Sequence, residues 1–273
     1  MTEKTLKPGT VEETVLIPLY ARAVETRRDD PALRDPRARE MVEAIAYDYE
    51  KFDGQPSLHG AVMRTLLFDL WTRDFLAEHP TGTVIEIGTG LNTRYERVDN
   101  GRARWYELDL PDVIALRRDF LPDTPRRTMI AASVTDPTWP DRVDGPGPYL
   151  VCAEAVLAFL PEEEVREVVR SLARRFPGAL LAMDSSGPGI VSTQERHDVL
   201  SKVGASMRWA CADPAEVAGW YEGLELLDTH TMTSLPERLY QDLPAAYRQM
   251  VDALVPQRLP QVEEYRMSLY RFP

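Results

Sequence analysis

Glu86, Gly88, Gly90 and Asp109 stand in an order that could hold a ligand carrying a ribose. Val84-Ile-Glu-Ile-Gly88-Thr-Gly90-Leu-Asn-Thr93 reads as an apolar strand entering a glycine turn, where missing side chains let a ligand approach the backbone. Trp105-Tyr-Glu-Leu-Asp109 ends the next apolar run with an acid 21 positions after Gly88, about where a nucleotide site offers a carboxylate to ribose hydroxyls. Glu107 and Asp109 share a strand face, and Asp109 is preferred because it lies at the tip. As G-x-G-x-x-G the turn fails at its last place, occupied by Thr93, which weighs against a nicotinamide dinucleotide. A plain tight turn would show the same glycines, so the loop alone decides little. His197, in Gln194-Glu-Arg-His-Asp, is the candidate general base, and a solvated histidine beside acids is the equal alternative. His59, His79 and His230 are scattered, and Cys152 and Cys211 lie far apart, so neither a metal site nor a disulfide framework is expected.

These residues need a scaffold that brings strand ends together. From Val11 to about His79 apolar residues recur at helical steps, with a long helix over Leu58 to Glu78 and N-cap and proline pairs at Asp30-Pro31 and Asp35-Pro36. After Pro80-Thr-Gly82, short apolar strands alternate with helices, predicting a parallel sheet with crossover helices. The strands read as Thr83 to Ile87, Arg104 to Leu108, Thr128 to Ala132, Tyr149 to Ala153 and Ala179 to Met183, with helices including Asp112 to Phe120 and Pro161 to Phe176. Further on, helices are predicted from Thr193 to Trp209 and Pro214 to Tyr221, and strands at Glu225 to Met232 and Tyr265 to Phe272. Between those two strands, Ser234 to Gln261 is longer than a hairpin connection, and such segments are often functional.

The 273 residues suffice for one large α/β domain, and no repeat or inter-domain linker divides them. With 44 acidic against 32 basic residues the formal charge is -12, which repels phosphate backbones and anionic lipid, so neither nucleic acid nor a membrane is an expected partner. No apolar run approaches the roughly 20 residues of a spanning helix, and no signal-like segment opens the chain, so a cytoplasmic protein with buried thiols is expected. The sequence sets no oligomeric state.

Several strings together resemble one family. Glu86-Ile-Gly-Thr-Gly-Leu-Asn-Thr-Arg-Tyr and Arg104-Trp-Tyr-Glu-Leu-Asp-Leu-Pro-Asp-Val-Ile are similar to the S-adenosylmethionine-dependent leucine carboxyl methyltransferases, nearest to the bacterial branch of tetracenomycin-type polyketide methyltransferases. The likeness extends to Leu16-Ile-Pro-Leu-Tyr-Ala-Arg-Ala, Ser133-Val-Thr-Asp-Pro-Thr-Trp139, Ala153-Glu-Ala-Val-Leu and Met207-Arg-Trp-Ala-Cys-Ala-Asp-Pro. Asn92 departs from the aspartate more usual in the family, with little expected change because both residues hydrogen-bond in a turn.

The resemblance implies a Rossmann-like, seven-stranded class I methyltransferase sheet of the α/β class, with an antiparallel last strand and an N-terminal helical cap. It implies one domain over 1–273, divided into a cap (10–79), a cofactor-binding core (83–185) and acceptor-pocket insertions with the last two strands (186–273). S-adenosylmethionine is the implied cofactor. Gly88 and Gly90 would lie beside its methionine part, with Glu86 ordering the loop or taking the amino group. Asp109, next to Leu110, would take the ribose hydroxyls, Ser133 and Val134 would flank adenine, and Glu154 and Ala155 would reach the methionine amino end. Arg64 would pair with the cofactor carboxylate, its planar fork suiting bidentate recognition. Tyr20 and Arg22 from the cap, and Trp209, Tyr240 and Tyr247 from the late segment, would close over a small-molecule acceptor. The activity implied is methylation of an oxygen on a bacterial polyketide-like product, a carboxylate first. The alternatives are a phenol or hydroxyl acceptor with His197 as base, a nicotinamide oxidoreductase, and a cofactor-bound protein that transfers nothing.

Overall fold

The computed structural model describes residues 11–273. Seven strands form one sheet: β1 (Thr83–Ile87), β2 (Arg104–Asp109), β3 (Arg127–Ala131), β4 (Tyr149–Ala153), β5 (Leu180–Ser186), β6 (Glu225–His230) and β7 (Tyr265–Arg271). Their order is β3-β2-β1-β4-β5-β7-β6. The first five are parallel, while β7 lies between β5 and β6 and runs antiparallel to both. Strand order therefore reverses between β1 and β4, and a ligand crevice is expected beyond their carboxyl ends. The α/β sheet with its antiparallel last strand is the Rossmann-like class I arrangement.

All five residues of β1 are buried, as a parallel strand covered on both faces requires. Alternate residues point to opposite sides. Val84, Leu150 and Ala182 join the core under the N-terminal helices, while Ile85, Val151 and Leu181 pack with Trp139, Phe176 and Trp209 on the other face.

The N-terminal helices are α1 (Leu16–Thr26), α2 (Pro36–Ala44) and α3 (Ser57–Glu78). Asp35 caps α2 by accepting the Ala38 N–H at 3.0 Å, with Pro36 in the first turn, whereas Asp30-Pro31 opens no helix. Helix α3 buries residues around its whole circumference, because it lies between the sheet and the rest of the cap. Next come α4 (Arg94–Val98), α5 (Pro111–Arg118) and α6 (Glu162–Arg175), the last with three acids in its first turn and two arginines in its last, favourably matched to the helix dipole.

The C-terminal part departs from the sequence expectation after β5. After α7 (Pro188–Ser192), where a helix over 193–209 is expected, the chain makes two short 3-10 turns and an extended run. Side chains there take backbone partners that a helix would use: Gln194 Oε1 accepts the Met207 N–H at 2.6 Å, and Asp198 Oδ1 accepts the Val199 N–H at 3.1 Å. After α8 (Pro214–Ala218) and β6, the 234–261 segment folds into α9 (Glu237–Asp242), α10 (Ala245–Leu254) and the start of α11 (Pro260–Glu263). Prolines stand at or just before the start of each, where the missing N–H costs no helical hydrogen bond. Among the described residues no helix is long and apolar enough to cross a membrane.

Candidate active site

A cavity of about 930 Å³ opens beyond the carboxyl ends of β1, β4 and β5, within the usual size range of a small-molecule site. Glu86, Gly88 and Gly90 reach it from β1 and its turn, Glu154 and Ala155 from β4, and Asp184 from β5. Arg64 enters from α3, Arg94 from α4 and Tyr265 from the start of β7.

The glycines are required by the backbone. Gly88 has φ +62 and Gly90 φ +54, in the left-handed region that side chains disfavour. A Cβ on Gly88 would lie 2.3 Å from Cγ2 of Val156. Ala155 adopts φ +57 without being glycine, held by its N–H donating to Asp184 Oδ1 at 2.7 Å.

Beneath the turn, one guanidinium binds three carboxylates. Arg94 donates from Nε to Asp69 at 2.9 Å, from Nη1 to Glu86 and from Nη2 to Glu154. Burial alone would lower the Arg94 pKa, but Glu86, Glu154 and Asp69 hold it well above the ordinary value. Glu154 also accepts from Arg64 Nε at 3.0 Å, Thr65 Oγ1 at 2.8 Å and Asn92 Nδ2 at 3.3 Å. Burial would raise its carboxyl pKa; Arg94 and Arg64 reverse that and hold it far below the usual range. Arg64 Nη1 donates to the Tyr265 hydroxyl at 3.0 Å, and that hydroxyl donates to Asp184. Burial pushes the Asp184 carboxyl upward, against the opposing pull of Arg64 and the Tyr265 hydroxyl.

A second buried pair supports the loop from below. Arg117 binds Glu107 at 2.6 Å, both fully buried, and donates to the carbonyls of Gly90 at 3.2 Å and Asn92 at 2.5 Å. Glu107 is thus committed under the sheet, while Asp109 stands at the strand tip, accepting the Gly90 N–H at 2.6 Å and the Leu110 N–H at 2.7 Å. Asp109 and Leu110 at the end of β2, and Ser133 and Val134 just past β3, are half-buried and do not line the cavity.

The other end of the cavity is apolar. Met63, Met207, Met232, Met250, Ile190 and Leu254 contribute to its walls. Of the aromatic and basic residues assigned to the acceptor from sequence, only Arg22 lines it, with Nε on Asp35 at 2.8 Å and Nη2 on the Leu91 carbonyl at 2.7 Å. The other four lie outside the lining, each ring with other partners. Tyr20 donates to Asp53 and stacks on Tyr49; Trp209 packs on Trp220 on the opposite face of the sheet. Tyr240 donates to Asp252 at 2.7 Å, and Tyr247 donates to Glu25 at 2.7 Å with its ring against His59.

His197 does line the cavity. Its Nδ1 lies 3.1 Å from Asp198 Oδ1 and 3.2 and 3.4 Å from the backbone nitrogens of Leu200 and Val199.

Arg94, Asp184, Tyr265 and Arg117 were missed by sequence reasoning. Arg94 lies inside the quoted glycine-turn string, and Asp184 sits at the carboxyl end of β5, where the strand-end rule points. Tyr265 carries no local signal, since only the reversed direction of β7 brings its first residue to this edge.

The donor set suits S-adenosylmethionine. Arg64 Nη2 makes no hydrogen bond among the described residues and can take a carboxylate, while Glu86, Glu154 and Asp184 can take an ammonium. Among those residues no cluster of three His, Cys, Asp or Glu could hold a metal ion.

The model of the leucine carboxyl methyltransferase family matches residues 16–173. The tetracenomycin polyketide synthesis O-methyltransferase TcmP of Streptomyces glaucescens is 31% identical over 235 residues, covering 85% of this chain and 87% of that protein. The S-adenosyl-L-methionine-dependent methyltransferase dpfgK of Gibberella zeae is 28% identical over 254 residues, 82% of this chain and 85% of that one. Among solved structures, a DUF574 family protein from Streptomyces avermitilis aligns with a TM-score of 0.61 at 18% identity, over 95% of this chain and 97% of its own. The plantazolicin methyltransferase BpumL in complex with SAH aligns at 0.52 and 10% identity, over 96% and 98%; both likenesses concern the fold.

Proposed function

The chain belongs to the leucine carboxyl methyltransferase family, and on that premise we propose that it forms a methyl ester on the carboxylate of an apolar, polyketide-like acid. It is a methyltransferase and uses S-adenosylmethionine, which supplies a methyl group carried on a positively charged sulfur. The family sets aside the nicotinamide reading.

In the reading we favour, Arg64 pairs through Nη2 with the donor's carboxylate, and Glu154 and Glu86, fixed by Arg94, receive its ammonium group. Asp184 and Ala155 close that end. Gly88 and Gly90 let the donor lie against the backbone, Asp109 beside Leu110 takes the ribose hydroxyls, and Ser133 with Val134 flanks the adenine. The carboxylates also favour a sulfonium before transfer. For catalysis the chain mainly orients the two reactants and excludes water. Residues 11–79 and 186–273 wall the acceptor, and 83–185 hold the donor together with Arg64 within one domain. A cytoplasmic location accords with two buried free thiols.

The observation that carries the carboxylate is the match to the leucine carboxyl methyltransferase family over residues 16–173. A phenol with a pKa near 10 needs a base, whereas a carboxylate is ionised at neutral pH and needs none. His197, whose Nδ1 lies 3.1 Å from Asp198 Oδ1, is the group that would serve as base in the alternative reading with a phenol acceptor. Incubation with S-adenosylmethionine and matched polycyclic acids and phenols, read by mass spectrometry, tests this. The acids gain a methylene as an alkali-labile ester; exclusive formation of alkali-stable ethers rejects it.

A further inference from the structure

Among the described residues three glycines line the cavity, and two of them, Gly88 and Gly90, are required by a left-handed backbone. Gly60 is not. It is the fourth residue of α3, its φ lies outside the left-handed region, and a Cβ built on it would meet a single atom within 4 Å, the Met232 Cε at 3.8 Å. That is ordinary van der Waals contact, so alanine fits. Glycine gives up more freedom than alanine on entering a helix, so neither the backbone nor the packing asks for it here.

The place of this bare position matters. Helix α3 runs along the cavity wall, and Arg64 stands four positions after Gly60 on the same face, about 6 Å further along the axis. Gly60 therefore borders the apolar chamber just before the polar end begins. Asp198 Oδ2 accepts the Ser57 N–H at 2.9 Å, which holds the first turn of α3 in place. Facing Gly60, Met232 lies in the turn after β6 and brings a flexible thioether chain. One side of the gap is fixed and bare, and the other adapts.

Resting on the methyltransferase reading, we propose that Gly60 sets the breadth of the acceptor. The space left by its missing side chain admits the second row of rings in a broad fused system, and Met232 adjusts against that system from the other side. A side chain at position 60 excludes broad acceptors and still passes slender ones. Gly60 acts on acceptor shape alone, because Arg64, Glu86 and Glu154 at the polar end keep their partners whatever stands at this position.

The test is a fluorescence titration of the full chain, saturated with S-adenosylhomocysteine, with two aryl acids of different breadth, pyrene-1-carboxylate and trans-stilbene-4-carboxylate. The parent should bind both. Gly60→Leu should weaken the pyrene by about tenfold or more and the stilbene by less than about threefold, as overfilling one part of a cavity does. Adding Met232→Ala to Gly60→Leu reopens the gap and should recover most of the pyrene affinity. Gly60→Ala should weaken the pyrene by a smaller factor and raise the melting temperature by about 1–3 °C. Equal loss of both probes, an unaffected pyrene, no recovery in the double variant, or a Gly60→Ala chain less stable than the parent overturns the assignment. Calorimetry of S-adenosylhomocysteine runs alongside: no binding by the parent defeats the methyltransferase reading, whereas normal binding without discrimination by breadth defeats only the role of Gly60. The matching phenols, pyren-1-ol and 4-hydroxystilbene, separate the acceptor group, since discrimination confined to them keeps Gly60 and rejects the carboxylate.

Discussion

Arg64 Nε and Glu154 Oε1 meet at 3.0 Å, tying the middle of the long cap helix to the end of β4 across 90 residues of chain. The pair sits at the cavity wall with the arginine side chain 11% exposed, so one edge of its fork remains available to a ligand. Arg64→Met should weaken S-adenosylhomocysteine binding by about ten- to hundredfold, the worth of a charge-assisted hydrogen bond. Calorimetry on the variant checks this, and an unchanged Kd removes Arg64 from the donor site.

Arg94 is a different case, because it neutralises three carboxylates at once while only 1% exposed. Removing one partner of a buried ionic cluster leaves the others uncompensated, at a cost of about 3–5 kcal/mol. Arg94→Met should lower the urea midpoint accordingly. A midpoint within the error of the parent would show that Glu86, Asp69 and Glu154 do not depend on it.

Gly88→Ala meets two obstacles, a left-handed backbone and a stiff β-branched neighbour 2.3 Å from the new methyl. The backbone alone costs roughly 1–2 kcal/mol. The paired change Gly88→Ala with Val156→Ala should recover only part of the lost stability and cofactor affinity; full recovery would mean the positive φ carries no cost.

Asp109→Ala removes the acceptor of the Gly90 and Leu110 N–H groups and the proposed ribose ligand together. Affinity for S-adenosylhomocysteine should fall about ten- to hundredfold. Asp109→Asn, retaining one acceptor oxygen, should fall between that and the parent. Equal binding by all three chains would move the ribose elsewhere.

Burial pushes the Cys152 thiol up to about 12 and the Cys211 thiol up to about 11. In an unfolded chain both ionise near 8.5, about where free cysteine titrates. As pH climbs above that point the unfolded state releases protons that the native state keeps, so stability falls with rising pH. Denaturant midpoints between pH 8 and 11 should decline less steeply in Cys152→Ala than in the parent. At pH 8 a thiol reagent should label the native protein only on the timescale of its unfolding; rapid labelling would contradict the burial.

The parallel strands were legible because they are largely buried on both faces and read as mostly apolar runs such as Tyr149–Ala153. The helix expected over 193–209 was not, because Gln194, His197 and Asp198 bond to nearby backbone instead of leaving it to a helical ladder. The apolar end of the cavity was less legible. Tyr20, Tyr240 and Tyr247 look like substrate rings in sequence, yet their hydroxyls meet Asp53, Asp252 and Glu25. For Tyr20 and Tyr247 those partners lie 33 and 222 positions away, beyond any local pattern. The methionines on the walls come from α3, the run before α8, the turn after β6 and α10, and no spacing joins those positions.

The reversed direction of β7 has an architectural consequence. Because the chain climbs β6 to the ligand edge and returns down β7 from that edge, everything between the two strands is delivered as a roof attached at two neighbouring joints. Residues 231–264 therefore form a natural cassette. Grafting that cassette from a relative exchanges one side of the acceptor chamber and leaves the glycine turn, Asp109 and the Arg94 cluster in their native sequence, so acceptor range and donor grip can diverge independently.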